Sequence, residues 1–230
     1  MKTKVLFVFL VAVFLSSGTS VLAQEESQKE EFKTLFAKSN GHINHGGYAA
    51  ITIGYAEIDK RAALEIGGRL AWLINHQFAF GFAGKSFFND IDNASTDPAN
   101  DYYLAGGYGG LFFQPIIFPK APVHVSFPII LGVGGIALYP NEPNNNYHWE
   151  EDYYHSDSYD SDVFLVFEPG VDVEFNMLRY MRMSLGVSYR FTNKVNLVYA
   201  YDKDIMNPTK IDDGVLNNLS INMAIMFGWF

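Results

Sequence analysis

The chain has 230 residues and a formal net charge of −9, with 49% hydrophobic residues, 16% aromatic residues and no cysteine. The length suits one domain or two small ones. The absence of cysteine excludes a disulfide scaffold, a thiol nucleophile and a cysteine-ligated metal, and the acidic charge disfavours nucleic acid as a partner. Only 18% of the residues are charged, against about 25% in typical soluble domains.

Residues 1–23 have the three parts of a secretory signal peptide. Lys2 and Lys4 give the positive segment, Val5–Leu15 is an unbroken apolar run, and Val21–Ala23 provides a small-residue cleavage site. The apolar run is shorter than the roughly 20 residues that cross a bilayer as a helix, which disfavours an uncleaved anchor. We therefore expect the mature chain to be exported.

Residues 24–45 form a polar and charged leader, which we assign to the periplasm. Phe32, Leu35 and Phe36 have the spacing of one face of a short helix. Two interpretations stay open for this leader: a helix at the mouth of the domain that follows, or a disordered segment.

From residue 46 onward, bulky apolar residues alternate with small or charged residues. Val171 and Val173, for example, alternate with Asp172 and Glu174. This period of two is typical of strands whose faces meet different environments. The pattern predicts eight strands, at about 46–58, 61–74, 77–89, 101–113, 122–138, 162–175, 180–200 and 215–230.

Strand length and composition distinguish a membrane barrel from a soluble sandwich. Most predicted strands reach the roughly 9–11 residues that a tilted strand needs to cross a bilayer, whereas soluble strands average about 5–6 residues. The polar face of a secreted β-sandwich would carry Lys, Thr and Glu, but here the second face is mostly Gly, Ala and Ser. We therefore predict an all-β fold over residues 46–230: an eight-stranded antiparallel transmembrane up-and-down β-barrel.

The links between the predicted strands alternate in length. Short links at Asn75–His76, 114–121 and 176–179 alternate with longer polar links at about 90–100, 139–161 and 201–214, and the Asp59–Lys60 link is a short exception. Outer-membrane barrels have short periplasmic turns and long external loops. The register therefore predicts a bacterial outer-membrane location with the long loops extracellular and both termini in the periplasm.

Aromatic residues fall near both ends of the predicted strands, where amphipathic rings favour headgroup depth. We assign Trp72, Phe78, Phe112, Phe113, Phe118 and Trp229 to the inner membrane interface and Phe87, Phe88, Tyr102, Tyr103 and Tyr139 to the outer one. Ordinary core packing is the alternative interpretation of this set.

Short motifs along the strands carry a resemblance. They are Gly67-Gly68-Arg69 with Trp72 and Asn75-His76, Gly106–Gly110, Phe127-Pro128 with Gly132–Gly135, Glu168–Val171 and Gly186–Arg190. With these motifs the chain resembles the small outer-membrane β-barrel proteins of the OmpA/OmpX-like type, and within them an uncharacterised family of the Bacteroidetes lineage. The resemblance runs from about Gly46 to Phe230 and includes no catalytic motif.

The resemblance implies that the barrel assembly machinery reads a signal in the C-terminal strand, with Phe230 as its last residue. In the usual signal, the terminal Phe shares its face with the apolar residues two, four and six positions back. Here the bulkier residues have the opposite parity: Ile221, Met223, Ile225, Phe227 and Trp229. Either the last residue twists out of register or the signal is atypical.

The predicted inward face carries equal numbers of acids and bases. They are Glu65, Arg69, Lys85, Glu168, Asp172, Glu174, Arg182 and Arg190. Charges in a narrow interior of low dielectric constant must be paired. We therefore predict a salt-bridge network that fills and closes the lumen, and a small-solute path is the alternative.

A hydrolytic site is a further alternative, because some eight-stranded outer-membrane barrels are lipid A deacylases that use His, Ser and Glu. His124 and Ser126 share a face, and Glu142 lies downstream. The members of a triad must be in hydrogen-bond contact, whereas Glu142 lies on the order of 50 Å along the chain from Ser126. Glu168 enters from the other rim. We expect His124 to be a satisfied lumen histidine and the protein not to be an enzyme.

The predicted external loop 139–161 is acidic and aromatic. Its candidate recognition residues are Tyr147, His148, Trp149, Tyr153, Tyr154, His155 and Tyr159. Three interpretations stay open: a solvated acidic loop, a surface for glycans or proteins, or a divalent-cation site.

The resulting hypothesis is a monomeric outer-membrane barrel with a side-chain-filled lumen and a structural or surface-interaction role through its external loops. We expect no cofactor and no resident metal. The expected partners are outer-membrane lipid, the assembly machinery and a surface glycan or protein. A small-solute pore is the main alternative, followed by a lipid A-modifying hydrolase.

Overall fold

The structure is a computed structural model that describes residues 44–89, 102–140, 160–197 and 211–230. The strands in these ranges are β1 His45–Ile58, β2 Arg61–Ile74, β3 Phe78–Phe88, β4 Tyr102–Ile117, β5 Val123–Ser126, β6 Ile129–Pro140, β7 Asp160–Leu178, β8 Met181–Tyr189, β9 Phe191–Thr192 and β10 Leu219–Trp229. No helix in the described ranges is long and apolar enough to cross a membrane. The predicted signal peptide, 1–23, and nearly all of the leader lie outside the described residues.

The strands pair antiparallel in a closed ring. β1 to β4 pair in sequence, β4 continues to β5 and β6, both of these pair with β7, β7 pairs with β8, and β8 pairs with β10. β10 then pairs with β1, with Gly47 opposite Trp229 and Ala56 opposite Ser220. β5 and β6 together occupy one position in the ring, and so do β8 and β9, so the ten strands fill eight positions. The predicted eight-stranded antiparallel up-and-down barrel is confirmed.

Two of the predicted strand boundaries differ from the structure. The predicted strand 122–138 is broken at Phe127–Pro128, because proline has no amide hydrogen to donate to a neighbouring strand. The backbone amide of Phe127 donates instead to Pro115 O at 2.9 Å, and the amide of Gly170 donates to Pro128 O at 2.8 Å. In place of the predicted strand 180–200, the structure has β8 and β9, and the strand ends at Thr192.

The two ends of the barrel are closed by different kinds of connection. The end that holds the start of β1 and the end of β10, called here the terminal end, has only short turns; the opposite end is the loop end.

The turns Asp59–Lys60 and Asn75–His76 each have two residues of positive φ, between 52° and 60°. This is the conformation of type I′ turns, which match the twist of paired strands.

Outward and inward side chains differ as the sequence parity predicts. Outward positions hold bulky apolar residues in contact with the surroundings, such as Ile51, Leu70 and Phe82, each about two-thirds exposed. Inward positions hold polar, charged and small residues together with large apolar side chains such as Leu73, Phe112 and Leu138. Large apolar side chains outside and buried charges inside reverse the arrangement of a soluble protein.

Two segments at the loop end, one after β9 and one before β10, pair with each other; residues 193–197 and 211–218 are called here the apolar cap. Val195 N donates to Asp213 O at 3.1 Å, and Ile211 N donates to Leu197 O at 3.0 Å. The cap and the loop-end strands share one buried apolar cluster, which includes Val195, Leu197, Ile211, Val215, Leu216, Ile58, Leu104, Leu138 and Phe164. The loop end of the lumen is therefore covered by apolar side chains.

Candidate functional site: the barrel interior

The structure places all eight inward charges inside the barrel, each at most 5% exposed: Glu65, Arg69, Lys85, Glu168, Asp172, Glu174, Arg182 and Arg190. Every one has an oppositely charged partner at 3.7 Å or less. The strands bring these residues together from distant parts of the chain, because alternate residues of every strand point to the same interior.

Lys85 on β3 is the centre of the charge cluster nearer the loop end. Its Nζ lies 2.6 Å from Glu168 Oε1 and 3.5 Å from Glu65 Oε2, and it donates to Asn222 Oδ1 at 3.0 Å. Ser188 Oγ also donates to Glu168 Oε1, at 2.6 Å. One lysine therefore neutralises two carboxylates that belong to β2 and β7.

Arg190, directly after β8, joins this cluster to the apolar cap. Its Nη2 lies 3.2 Å from Glu65 Oε1 and donates to Asn218 Oδ1 at 3.0 Å. Its Nε donates to Leu216 O, also at 3.0 Å, and its guanidinium lies over the ring of Phe87. The cap is thus held to the barrel by a fully buried arginine.

Glu174 on β7 is the centre of the cluster nearer the terminal end. Its carboxylate accepts hydrogen bonds from Ser126 Oγ and Gln114 Nε2, each at 2.6 Å. His124 Nε2 lies 2.8 Å from Glu174 Oε2, and Arg182 Nη1 lies 3.7 Å from the same oxygen. Four side chains from three strands therefore converge on one carboxylate.

Arg69 and Asp172 form a pair between these clusters. Arg69 Nη1 donates to Asp172 Oδ2 at 3.0 Å, and Ser184 Oγ donates to the same oxygen at 3.3 Å. The Arg69 guanidinium also lies 5.3 Å from the centre of the Phe112 ring. Charged and aromatic side chains therefore fill the lumen at this level as well.

Three buried arginine nitrogens have no hydrogen-bond acceptor among the described residues: the Nε of Arg69, the Nε of Arg182 and the Nη1 of Arg190. Each of these guanidinium groups lies over an aromatic ring: Arg69 over Phe112 at 5.3 Å, Arg182 over Phe230 at 4.0 Å and Arg190 over Phe87 at 4.8 Å. The negative face of an aromatic ring attracts a cation. The rings therefore compensate in part for the missing acceptors.

The interface assignment is wrong for Phe112 and Phe87. Both are almost completely buried in the interior, because the inward positions are even-numbered on β4 and odd-numbered on β3. Their outward neighbours, Phe113 and Phe88, keep the outward face. Each aromatic pair thus has one ring on either side of the wall.

The other interface aromatics are placed as follows. Trp72 and Trp229 are on the outside near the terminal end, with Trp229 83% exposed, and Phe78 is half-buried. Tyr139 stacks on Tyr103, with 5.3 Å between the ring centres. The side chain of Tyr102 lies outside the described residues.

Phe230 turns to the inside of the barrel. Its ring stacks on that of Tyr48, at 5.8 Å between centres, beneath the Arg182 guanidinium. The outward aromatic residue at the end of β10 is Trp229. Phe230 therefore keeps the inward face that its parity predicts and does not twist out of register, and its role as an assembly signal stays a prediction.

The hydrolase alternative lacks its central contact. The Ser126 hydroxyl donates to Glu174, and His124 binds the other oxygen of the same carboxylate, whereas a serine nucleophile requires a hydrogen bond to its base. Glu168 is bound to Lys85 and Ser188, and Glu142 lies outside the described residues. Glu174, the partner that His124 and Ser126 share, lies directly opposite His124 across β5 and β7, a contact that the period of two does not predict.

The candidate recognition residues of the external loop lie outside the described residues: Tyr147, His148, Trp149, Tyr153, Tyr154, His155 and Tyr159. Within the part of the chain that the structure describes, no group of three or more His, Asp or Glu side chains is arranged to hold a metal ion.

No family model and no curated protein matches the chain. Among solved structures it is similar to Neisserial surface protein A, at 12% identity and a TM-score of 0.48 over 81% of this chain and 98% of that one. It is also similar to the N-terminal β-barrel domain of Pseudomonas aeruginosa OprF, at 7% identity and a TM-score of 0.46 over 80% and 97% of the two chains. A third neighbour is Ail, the attachment invasion locus protein of Yersinia pestis, at 9% identity and a TM-score of 0.43 over 80% and 98%.

The neighbours include bacterial outer-membrane proteins. At identities this low the likeness concerns the fold, and what the neighbours bind says nothing about this chain. Membership of a Bacteroidetes family stays a prediction.

Proposed function

We propose that the chain is an integral protein of the bacterial outer membrane, with a lumen closed by its own side chains and a structural or surface-interaction role through its external loops. The observation that carries this proposal is the distribution of side chains across the barrel wall, which is the reverse of that in a soluble protein. Large apolar side chains cover its outside, and paired charges fill its inside. Soluble proteins rarely expose apolar patches beyond a few hundred Å², whereas lipid solvates such a wall.

The contents of the lumen support a closed barrel rather than a pore. From the loop end inward, a solute would meet the apolar cap, then the Lys85 cluster, then the Arg69–Asp172 pair, then the Glu174 cluster and the ring of Phe230. An eight-stranded barrel has an interior that side chains alone can fill. We therefore assign the buried charges a structural role and propose no catalytic one.

The orientation follows from the lengths of the connections. We place the terminal end, with its short turns, in the periplasm, and the loops 90–100, 139–161 and 201–214 outside the cell. In this orientation Trp229 and the other outward residues of β10 form the surface that the assembly machinery would read. The aromatic residues of loop 139–161 would contact a surface glycan or protein.

The first test asks whether the purified chain is a closed membrane barrel. We expect it to require detergent for solubility, to shift its gel mobility on heating, and to show negligible conductance in planar bilayers. Stable channels would contradict the closed lumen. A chain that stays soluble without detergent and shows no heat-dependent shift would contradict the barrel in a membrane.

The second test asks whether the external loop binds a partner. We expect deletion of residues 141–160 to abolish binding of the expressing cells to host cells or to a glycan array while the heat-dependent gel shift persists. A matched deletion within the loop at 90–100 controls for general damage to the loop end. Equal binding by both deletion variants and by the intact protein would contradict a recognition role for loop 139–161.

A further inference from the structure

The terminal end of the barrel exposes basic side chains and, among its described residues, no Asp or Glu side chain. Lys120, in the turn between β4 and β5, and Arg179, in the turn between β7 and β8, are both exposed. The described residues of this end contain no Asp or Glu: they are 44–47, 74–78, 115–123, 176–182 and 226–230. The loop end, by contrast, mixes both signs of charge.

Hydrogen bonds join the turns that carry these two charges. Ala121 N donates to Phe118 O at 2.9 Å within the first turn. Asn176, at the end of β7, donates from its side chain to Ala121 O at 2.8 Å and from its backbone to Pro122 O at 2.9 Å. The turn that carries Lys120 and the turn that carries Arg179 are therefore hydrogen-bonded neighbours on the rim of the barrel.

Large apolar side chains lie in and next to the turns that carry the two charges. Phe118, Tyr180 and Trp229 are each more than half exposed, and Phe118 is 77% exposed. Phe118 has a φ of 56°, a left-handed conformation that is strained for a residue with a large side chain. Gly228 N donates to Tyr180 O at 3.0 Å, which ties the second turn to β10 beside Trp229.

The positive field of this end also acts on a neighbouring histidine. Burial, together with the charges of Arg182 and Lys120, holds the pKa of His76 below its ordinary value. His76 lies in the turn between β2 and β3, on another part of the same rim. Arg182 and Lys120 therefore both act electrostatically on His76.

We propose that Lys120, Arg179, Phe118, Tyr180 and Trp229, called here the basic aromatic rim, bind the phosphates of anionic phospholipids in the leaflet at the terminal end. Tyrosine and tryptophan rings favour headgroup depth, and long basic side chains beside them extend to the phosphate layer. Basic residues at a membrane surface attract anionic lipids. The apolar rings continue the lipid-facing wall, so a membrane is the partner that fits both parts of the rim.

This inference rests on the proposed location in a membrane and adds a lipid preference to it. The test uses the full chain folded in micelles with equal amounts of phosphatidylglycerol and phosphatidylcholine of identical acyl chains, and counts the retained lipids by native mass spectrometry. We expect the wild type to retain phosphatidylglycerol over phosphatidylcholine by on the order of 25-fold, about fivefold for each of the two basic side chains. Lys120→Gln with Arg179→Gln should lower that ratio by about fivefold for each basic side chain removed.

The matched control removes two exposed basic residues from the loop end, by Lys60→Gln with Lys194→Gln, and should leave the ratio unchanged. Salt should reduce the wild-type preference, since the Debye length falls from about 10 Å at 0.1 M to about 3 Å at 1 M. If the double rim variant does not fold, the two single variants carry the same test.

Equal retention of the two lipids by the wild type would overturn the inference, and so would a preference that survives in the rim variants. A preference lost equally in the control would also overturn it, because it would then reflect overall charge. The heat-dependent gel shift distinguishes failure of the lipid preference from failure of the proposed membrane barrel. A wild type that shows the gel shift but no lipid preference contradicts the lipid preference and leaves the barrel proposal standing.

Discussion

Replacement of Lys85 by methionine is expected to destabilise the barrel by about 3–5 kcal/mol, the usual cost of removing one partner of a buried ion pair. Lys85 Nζ is 2.6 Å from Glu168 and 3.5 Å from Glu65. In the variant, Glu65 keeps Arg190 at 3.2 Å, but Glu168 loses its cation and keeps only hydroxyl partners. The free energy of unfolding in urea, followed by tryptophan fluorescence in lipid vesicles, measures the effect.

The same measurement distinguishes a closed lumen from a pore. In a lumen filled with water, Glu168 would be hydrated after the loss of Lys85, and the variant would lose little stability. In a closed lumen the charge has no solvent, so adding Glu168→Gln to Lys85→Met should recover part of the lost stability. A loss below about 1 kcal/mol, with no coupling between the two substitutions, would contradict the closed lumen.

Lys194→Met is the matched control for this experiment. Lys194 Nζ also lies close to a carboxylate, at 2.9 Å from Asp213, and this bond raises the pKa of Lys194 above its ordinary value. Both side chains are largely exposed, however, and exposed ion pairs contribute little to stability because water and salt screen them. We expect the urea midpoint of this variant to stay close to that of the wild type.

The alternation of bulky apolar residues with small or charged residues along the sequence is sufficient to assign residues to the two faces of the barrel wall. Glu65, Arg69 and Lys85 could be placed inside because side chains alternate strictly along a strand. Period alone does not give the register between strands, so the partners of each charge could not be assigned. The contact of His124 and Ser126 with Glu174 depends on the alignment of β5 with β7, which is set by the whole ring of strands.

The incorrect predictions for Phe112 and for Val195 and Leu197 have other physical causes than an unknown strand register. Phe112 and Phe113 are adjacent on one strand, so one of the two rings must point inward. Their position near the strand end predicts the membrane interface for both rings, because it takes no account of which face each ring occupies. Val195 and Leu197 continue the alternation of apolar residues in β8, which predicts that they belong to the lipid-facing wall of the barrel. In the structure they bury their side chains in the apolar cap, an environment that selects the same residue types as lipid does.

Gly186→Ala is expected to destabilise the barrel by crowding a buried ion pair. A Cβ at Gly186 on β8 would lie 2.6 Å from Val171 O and 2.8 Å from Asp172 Cγ, and real Cβ contacts are never so short. Asp172 would have to move, and it is the partner of Arg69 at 3.0 Å. Overpacking alone costs about 1–3 kcal/mol, and disturbance of the buried pair adds to that.

Gly135→Ala provides a control of identical chemistry with the opposite expected sign. Gly135 on β6 faces outward, and the nearest atom to an added Cβ is Asp162 O at 3.8 Å. The methyl group meets no obstruction, while the unfolded chain loses conformational freedom, which stabilises by about 0.4–1 kcal/mol. Urea unfolding should therefore separate the two variants by at least about 1.5 kcal/mol. If Gly186→Ala were as stable as Gly135→Ala, the close contact of β8 with Asp172, and with it the tight filling of the lumen, would be wrong.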